Sequence, residues 1–247
     1  MNTNPDPARF LLRCRLWAGL LAVACLPCGL AQEPDAGPPQ PMIQTQVELI
    51  EVTQERYTAI VAGNHTTGND SALREELAAM VTKGEAEVVE TMVCATQHPH
   101  TARAESVTEF IYPTAYDPQE LPPNADSEGS EDAAGPAPSA WERRNLGSTL
   151  EVEVLFDHDS GTVDLWFDAE VVRHVKNWIW FEWHGKRGTC HIQTPIFHTL
   201  SCKQSVFLIP GQPLLASTLT PKGQDGMPDP SRKIMVFVKC DLVPTDN

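Results

Sequence analysis

Cysteine and histidine side chains offer the first candidate chemistry in this chain of 247 residues. Cys190, His191, His198 and Cys202 carry the sulfur and nitrogen ligands that zinc prefers, but their spacing matches no common structural zinc site. A disulfide between Cys190 and Cys202 is the better expectation. The segment between them has Pro195 near its middle and could turn back on itself as a hairpin.

Four cysteines lie outside the first 31 residues: Cys94, Cys190, Cys202 and Cys240. An even number permits two bridges in an oxidising compartment, and three connectivities are open. The alternative is that all four are buried as small apolar side chains. The sequence leaves both interpretations standing.

Two further arrangements favour ordinary structure over catalysis. Cys94 lies near His98 and His100, a thiol beside a base, but no third residue that would orient the base is evident. Glu151 and Glu153 alternate with valines, which is typical of the solvated face of a strand rather than of paired catalytic carboxylates. We therefore predict no enzyme activity, no metal site and no cofactor.

A tryptophan-rich segment at residues 177–183 is the most unusual apolar feature of the chain. Trp178, Trp180 and Trp183 could lie at a membrane interface, where aromatic rings with one polar edge are enriched. They could also pack in a core, or form a surface on which a glycan or peptide stacks. All three interpretations remain open from the sequence.

The first 31 residues have the layout of a secretory signal peptide. Arginines precede an apolar run at residues 16–26 that is too short to span a bilayer, and small residues lead to Ala31, after which we expect cleavage. Lipid attachment at Cys25 is an alternative mode of processing. The chain is therefore predicted to be exported, to the periplasm or the outer membrane.

Charge and composition divide the remainder of the chain. Outside the signal stand 15 basic and 32 acidic residues, a net charge near −17, which would repel phosphate backbones and excludes nucleic acid as a partner. Residues 32–42 are predicted to be a flexible leader. Residues 43–243 form one β-rich domain, interrupted at residues 117–139 by an acidic, proline-rich insert that we expect to be disordered.

The periodicity within this domain predicts an α+β fold rich in antiparallel strands, with one or two short N-terminal helices. Thr53 can cap a short helix that ends at Gly63, and Asp70 or Ser71 can cap a better one that ends at Lys83 and Gly84. Pro113 is expected to end a strand that spans residues 104–112. The other predicted strands span residues 46–52, 88–95, 150–156, 162–167, 178–183, 202–209 and 233–243.

A series of segments, taken in order, resembles the secretin domain of the gate proteins of bacterial type II and type III secretion systems and type IV pili. The resembling segments are residues 43–52, 102–116, 146–154, 161–165, 169–172, 193–199, 205–212 and 235–243. The chain departs from the family pattern at Ala216-Ser217, where secretins commonly have two glycines. The resemblance implies a homo-oligomer whose copies pair their strands into a ring, together with outer-membrane, secretion or pilus components as partners.

Overall fold

A computed structural model of the chain describes residues 41–63, 68–117, 135–185 and 188–244. These belong to one compact unit, Pro39–Asn247. The predicted signal peptide, the alternative lipid site at Cys25 and residues 32–40 of the predicted leader lie outside the described residues. So do residues 118–134 of the predicted insert, and these predictions remain expectations.

Two four-stranded sheets and two helices make up the described fold. The first sheet, here called the helix-covered sheet, has the order β2-β1-β8-β7, and the second, the long-strand sheet, has the order β3-β4-β5-β6. Every ladder in both sheets is antiparallel. The predicted α+β, β-rich class is therefore confirmed. The elements are β1 (Met42–Thr53), α1 (Gln54–Ala62), α2 (Ser71–Lys83), β2 (Ala86–Gln97), β3 (Thr101–Asp117), β4 (Ala137–Asp157), β5 (Thr162–Gly185), β6 (Gly188–Leu208), β7 (Leu214–Leu219) and β8 (Arg232–Val243).

Both helices begin and end at the predicted residues, although the Asp70 side chain before α2 makes no capping hydrogen bond and instead accepts one from the backbone N–H of Leu215. The Thr53 hydroxyl accepts a hydrogen bond from the backbone N–H of Arg56 at 3.3 Å, and this contact caps α1. Gly84 ends α2 in the left-handed conformation, with φ of 74°, which costs glycine little because it has no Cβ. Leu73 and Leu77 then form a buried stripe along α2.

The core consists of two apolar layers, one on each face of the helix-covered sheet. The helices cover one face, where Ile50 and Phe237 are buried against α2. The opposite face packs against the half of the long-strand sheet nearest the 157–162 turn. Fully buried side chains at this sheet-on-sheet contact include Val47, Val152, Leu165, Phe167 and Val236. Sheet faces that alternate apolar and polar residues pack in this way.

The long-strand sheet continues well beyond this contact. Residues 106–117, 137–147, 173–185 and 188–198 form a second half in which most described side chains are exposed or half-buried. About twelve residues of extended chain make this protruding half about 40 Å long. The four strands reach 17, 21, 24 and 21 residues, far longer than the predicted segments.

Two predicted boundaries in this sheet are wrong. Pro113 does not end β3, which continues to Asp117 with irregular pairing between Pro113 and Ala115. Because β3 is an edge strand, a residue without an N–H can be accommodated there. The predicted insert is also too long at its C-terminal end, since β4 begins at Ala137.

Candidate interaction surface

Open strand edges are the first feature of the described residues that suggests interaction. Strands β3 and β6 flank the long-strand sheet, and in the described part of the chain each pairs with one neighbour only. Pro195 lies within β6, as Pro113 lies within β3, so both edges carry a proline. An unpaired edge exposes a row of N–H and C=O groups that can bind another strand.

The tryptophan-rich segment lies in the protruding half of β5, close to its hairpin with β6. Trp178 and Trp180 are each 62% exposed, and the residues between and after them, Ile179 and Phe181, are 45% and 46% exposed. Trp178 and Ile179 pair with the successive β6 residues Thr194 and Gln193 and therefore point to opposite faces, so both faces of this hairpin present apolar surface to solvent.

The interpretation that Trp178 and Trp180 pack in a core is therefore wrong. The indole N–H of Trp180 donates a hydrogen bond to the Thr194 hydroxyl at 3.3 Å, beside an irregularity in the β5–β6 ladder. Trp183 pairs with Cys190 in the ladder, but its side chain lies outside the described part. Of the interpretations left open by the sequence, the membrane-interface and stacking alternatives agree with this exposure.

The predicted Cys190–Cys202 disulfide is wrong within one chain. Both residues lie on the single continuous strand β6, where twelve residues of extended chain separate them by about 40 Å. A disulfide needs Cα atoms within about 7 Å. The intervening segment, including Pro195, runs straight along β5 instead of turning back.

All four described cysteines are free thiols, and the alternative of buried apolar side chains holds for Cys94, Cys202 and Cys240 but not for Cys190, which is only half-buried. Burial raises the pKa of the Cys94 thiol, and it raises the pKa of Cys240 to about 11. A buried thiol is a weak nucleophile because the reactive thiolate is scarce. The His98 ring, which follows the end of β2, accepts a hydrogen bond from the backbone N–H of Phe156 at 2.9 Å, a structural contact.

The straight course of β6 also separates the candidate zinc ligands Cys190, His191, His198 and Cys202 along one strand. Within the described ranges no group of three or more ligating side chains could hold a metal ion. In the same residues no helix has both the length and the apolar character needed to cross a membrane.

An aromatic cluster in the protruding half was not foreseen from the sequence. The ring of Phe110 in β3 stacks on His174 in β5 at 4.9 Å and contacts the edge of Phe197 in β6 at 5.8 Å. The guanidinium of Arg144 in β4 lies 5.1 Å from the centre of the Phe197 ring. Strands three positions apart in a flat sheet would be about 14 Å apart. The contact between Phe110 and Phe197 therefore shows that the sheet curls strongly toward this face.

Comparisons with known proteins give structural similarities only. No protein-family model matches the chain, and no curated protein matches it. The InvG secretin domain of the Salmonella SPI-1 injectisome is similar with a TM-score of 0.44 and 9% identity, over 84% of this chain and 64% of that one. The type II secretin GspD of enteropathogenic Escherichia coli gives 0.42 and 13%, over 83% and 70%.

The type IV competence pilus secretin PilQ of V. cholerae is similar with a TM-score of 0.38 and 11% identity, over 83% of this chain and 61% of that one. All three of these solved structures are secretins. The chain spans about two thirds of the length of these solved chains.

Proposed function

We propose that this chain is an exported, structural, secretin-like component that assembles with copies of itself through its strand edges. Its place would be in or beside an outer-membrane secretion or type IV pilus assembly, and its role is structural rather than catalytic. The observation that carries the proposal is the pair of open edges on the long-strand sheet, 17 residues long in β3 and 21 in β6. Edges of that length favour pairing with another chain.

The two edges differ, which determines the kind of assembly. A contact between β6 of one copy and β3 of the next joins two different surfaces, and such head-to-tail contacts close into a ring when the rotation between copies permits. In a closed ring every edge is paired. The high negative charge of each copy opposes this contact, so assembly should strengthen as salt screens the repulsion.

The first test is the mass of the purified chain in plain buffer and in detergent, measured by analytical ultracentrifugation over a range of salt concentrations. We expect a discrete species of many copies, favoured by salt. A single species at the monomer mass of 27.2 kDa, or less after signal removal, under every condition contradicts the proposal.

A pair of proline variants tests the edge itself. Successive N–H groups of β6 point alternately toward β5 and away from it, so Gln204→Pro and Ser205→Pro remove one inward and one outward group. The variant that keeps the wild-type free energy of unfolding identifies the outward position. We expect that variant to remain monomeric, whereas Lys203→Gln, a side-chain change beside it, should assemble as the wild type does.

A second candidate function is a monomeric periplasmic or surface module that binds a glycan or peptide. The exposure of Trp178 and Trp180 favours it, as does the curled sheet, which brings β3 and β6 near each other at the Phe110–Phe197 contact. For this function Trp180→Ala should abolish glycan or peptide binding without unfolding the chain. Binding that is unchanged in Trp180→Ala eliminates this candidate.

A further inference from the structure

A pocket between the middle of the long-strand sheet and the β7–β8 loop concentrates positive charge in an otherwise acidic protein. The pocket measures about 730 Å³, and Arg173, His198, Lys222 and Arg232 line it. The chain as a whole has 18 basic and 33 acidic residues, so a local group of cations is unexpected. This pocket is separate from the tryptophan-rich hairpin, and it borders the aromatic cluster through His174, which lines the pocket and stacks on Phe110.

The backbone fixes the positions of these cations. Arg173 and His198 are direct partners in the β5–β6 ladder, so their side chains lie on the same face of the sheet. The Lys222 ammonium donates a hydrogen bond to the Phe197 carbonyl at 3.3 Å, which places it beside His198. One guanidinium nitrogen of Arg173 donates to the Val89 carbonyl at 2.9 Å.

The β7–β8 loop that carries Lys222 is held by its own hydrogen bonds. The N–H of Asp229 donates to the Pro221 carbonyl at 2.8 Å, and Lys222 pairs with Pro228 in an isolated bridge. Arg232 also donates to the Lys222 carbonyl at 3.4 Å. A pocket whose walls are fixed in advance loses less entropy when a ligand binds.

The carboxylates near the pocket are already matched by partners. Asp229 accepts hydrogen bonds from Ser231 and from the Arg232 guanidinium, the latter at 2.8 Å, and these contacts lower the pKa of Asp229 to about 2. Arg232 also pairs with Glu51 at 2.6 Å. By contrast, neither Arg173 nor Lys222 forms an ion pair with a carboxylate in the described ranges. Each uses one donor on a carbonyl and keeps others for a ligand.

We propose that Arg173, Lys222 and His198 form a binding site for a phosphate group, either free phosphate or the phosphomonoester of a lipid headgroup. A guanidinium can donate two parallel hydrogen bonds to phosphate oxygens, and an ammonium adds a compact positive charge. The site does not depend on ring assembly, since all of its residues come from one chain.

His198 should make anion binding depend on pH, which a purely structural cluster of cations would not do. Burial first, and then the charges of Lys222, Arg173 and Arg232, lower the pKa of the His198 ring. A bound dianion would offset those charges, so binding and protonation of His198 should favour each other. The other charged or titratable groups that face the pocket or its cations are His174, Asp229 and Glu51.

The test is equilibrium dialysis of the whole chain against inorganic phosphate at fixed ionic strength. We expect saturable binding, weakened about tenfold or more in R173Q/K222Q, because the variant removes two charged hydrogen-bond donors from the site. The control R143Q/K203Q removes two cations from elsewhere on the same sheet and should bind as the wild type does. If R173Q/K222Q does not fold, K222Q alone should lose affinity and K222R should retain it.

Sulfate provides the second readout because its charge is constant over the pH range in which histidine titrates. Sulfate should bind the wild type more tightly at about pH 5.5 than at about pH 7.5, where a histidine is neutral, and H198Q should remove most of this difference. The absence of saturable phosphate binding up to about 10 mM, or equal binding by wild type and R173Q/K222Q, would overturn the proposal.

Vesicles separate the two sources of phosphate. If the chain sediments with phosphatidylcholine vesicles that contain phosphatidic acid, and inorganic phosphate releases it, the ligand is a headgroup. If phosphate binds and these vesicles do not, the ligand is the free anion. Either outcome supports the site provided that R173Q/K222Q loses the binding.

Discussion

The ion pair between Arg74 and Glu48 allows a quantitative prediction about how α2 is held on β1. The Arg74 Nε lies 2.5 Å from Glu48 Oε2, and its Nη2 lies 2.9 Å from Oε1, a two-pronged contact. The side chains are only 24% and 14% exposed. The contact lowers the pKa of Glu48 and raises that of Arg74.

The substitution Arg74→Met should lower the free energy of unfolding by about 2 kcal/mol at pH 7. Exposed pairs contribute about 0.2–1 kcal/mol, whereas breaking a fully buried pair costs about 3–5 kcal/mol, and this pair lies between the two limits. The substitution leaves the half-buried Glu48 charge without its partner. The double variant Glu48→Gln/Arg74→Met should recover part of the loss because no charge remains unmatched.

The sign of the pH dependence follows from the lowered pKa of Glu48. Its contribution to stability is complete above the pKa of the unfolded chain and disappears as pH falls through the lower pKa of the folded chain. The gap between wild type and Arg74→Met should therefore narrow from pH 7 to about pH 3, a pH below the reference pKa of a glutamate. Urea unfolding at both pH values measures this difference in the free energy of unfolding. A loss under about 0.5 kcal/mol at pH 7, the level of an ordinary surface substitution, or a double variant less stable than Arg74→Met, would refute the reasoning.

Two further predictions concern backbone geometry and thiol chemistry. Gly147→Ala should destabilise the chain by about 3 kcal/mol or more in urea unfolding, because φ is +128° and a Cβ would stand 2.0 Å from the Ser106 carbonyl oxygen. Gly161→Ala, with φ of +67° and open space, should cost only about 1–2 kcal/mol, and equal losses would contradict this account. In the native chain at about pH 8, near the reference pKa of a thiol, the half-buried Cys190 should be alkylated first and Cys240 last, since burial raises the pKa of Cys240 to about 11. Mass spectrometry of the alkylated peptides measures the order, and rapid labelling of Cys240 would contradict it.

The sequence predicted local features better than those set by neighbouring strands. Helix α2 was predicted because its apolar stripe and the glycine that ends it, Gly84, lie within a short local segment. The strands were predicted too short because their exposed halves lack the apolar alternation of a core-facing strand. Pairing with β4 carries β3 through Pro113. Pairing with β5 likewise makes Pro195 part of a strand rather than part of a turn.

The candidate surfaces depend even more on tertiary structure. Apolar character alone did not reveal whether Trp178 was buried, because that depends on whether another layer covers the protruding half. Phe110 and Phe197 meet only because the sheet curls. The phosphate pocket likewise joins Arg173 on β5 to Lys222 on a distant loop, and no local pattern connects them.

Hydrogen exchange along β3 and β6 tests the central claim most directly. In the assembled species, every second amide of these two strands, those that point away from β4 and β5, should become protected, while amides of β4 and β5 stay as they were in the dilute chain. The protection should disappear in the monomeric proline variant. Outward amides that exchange equally fast at every concentration, in a particle of a single chain, would contradict assembly through strand edges.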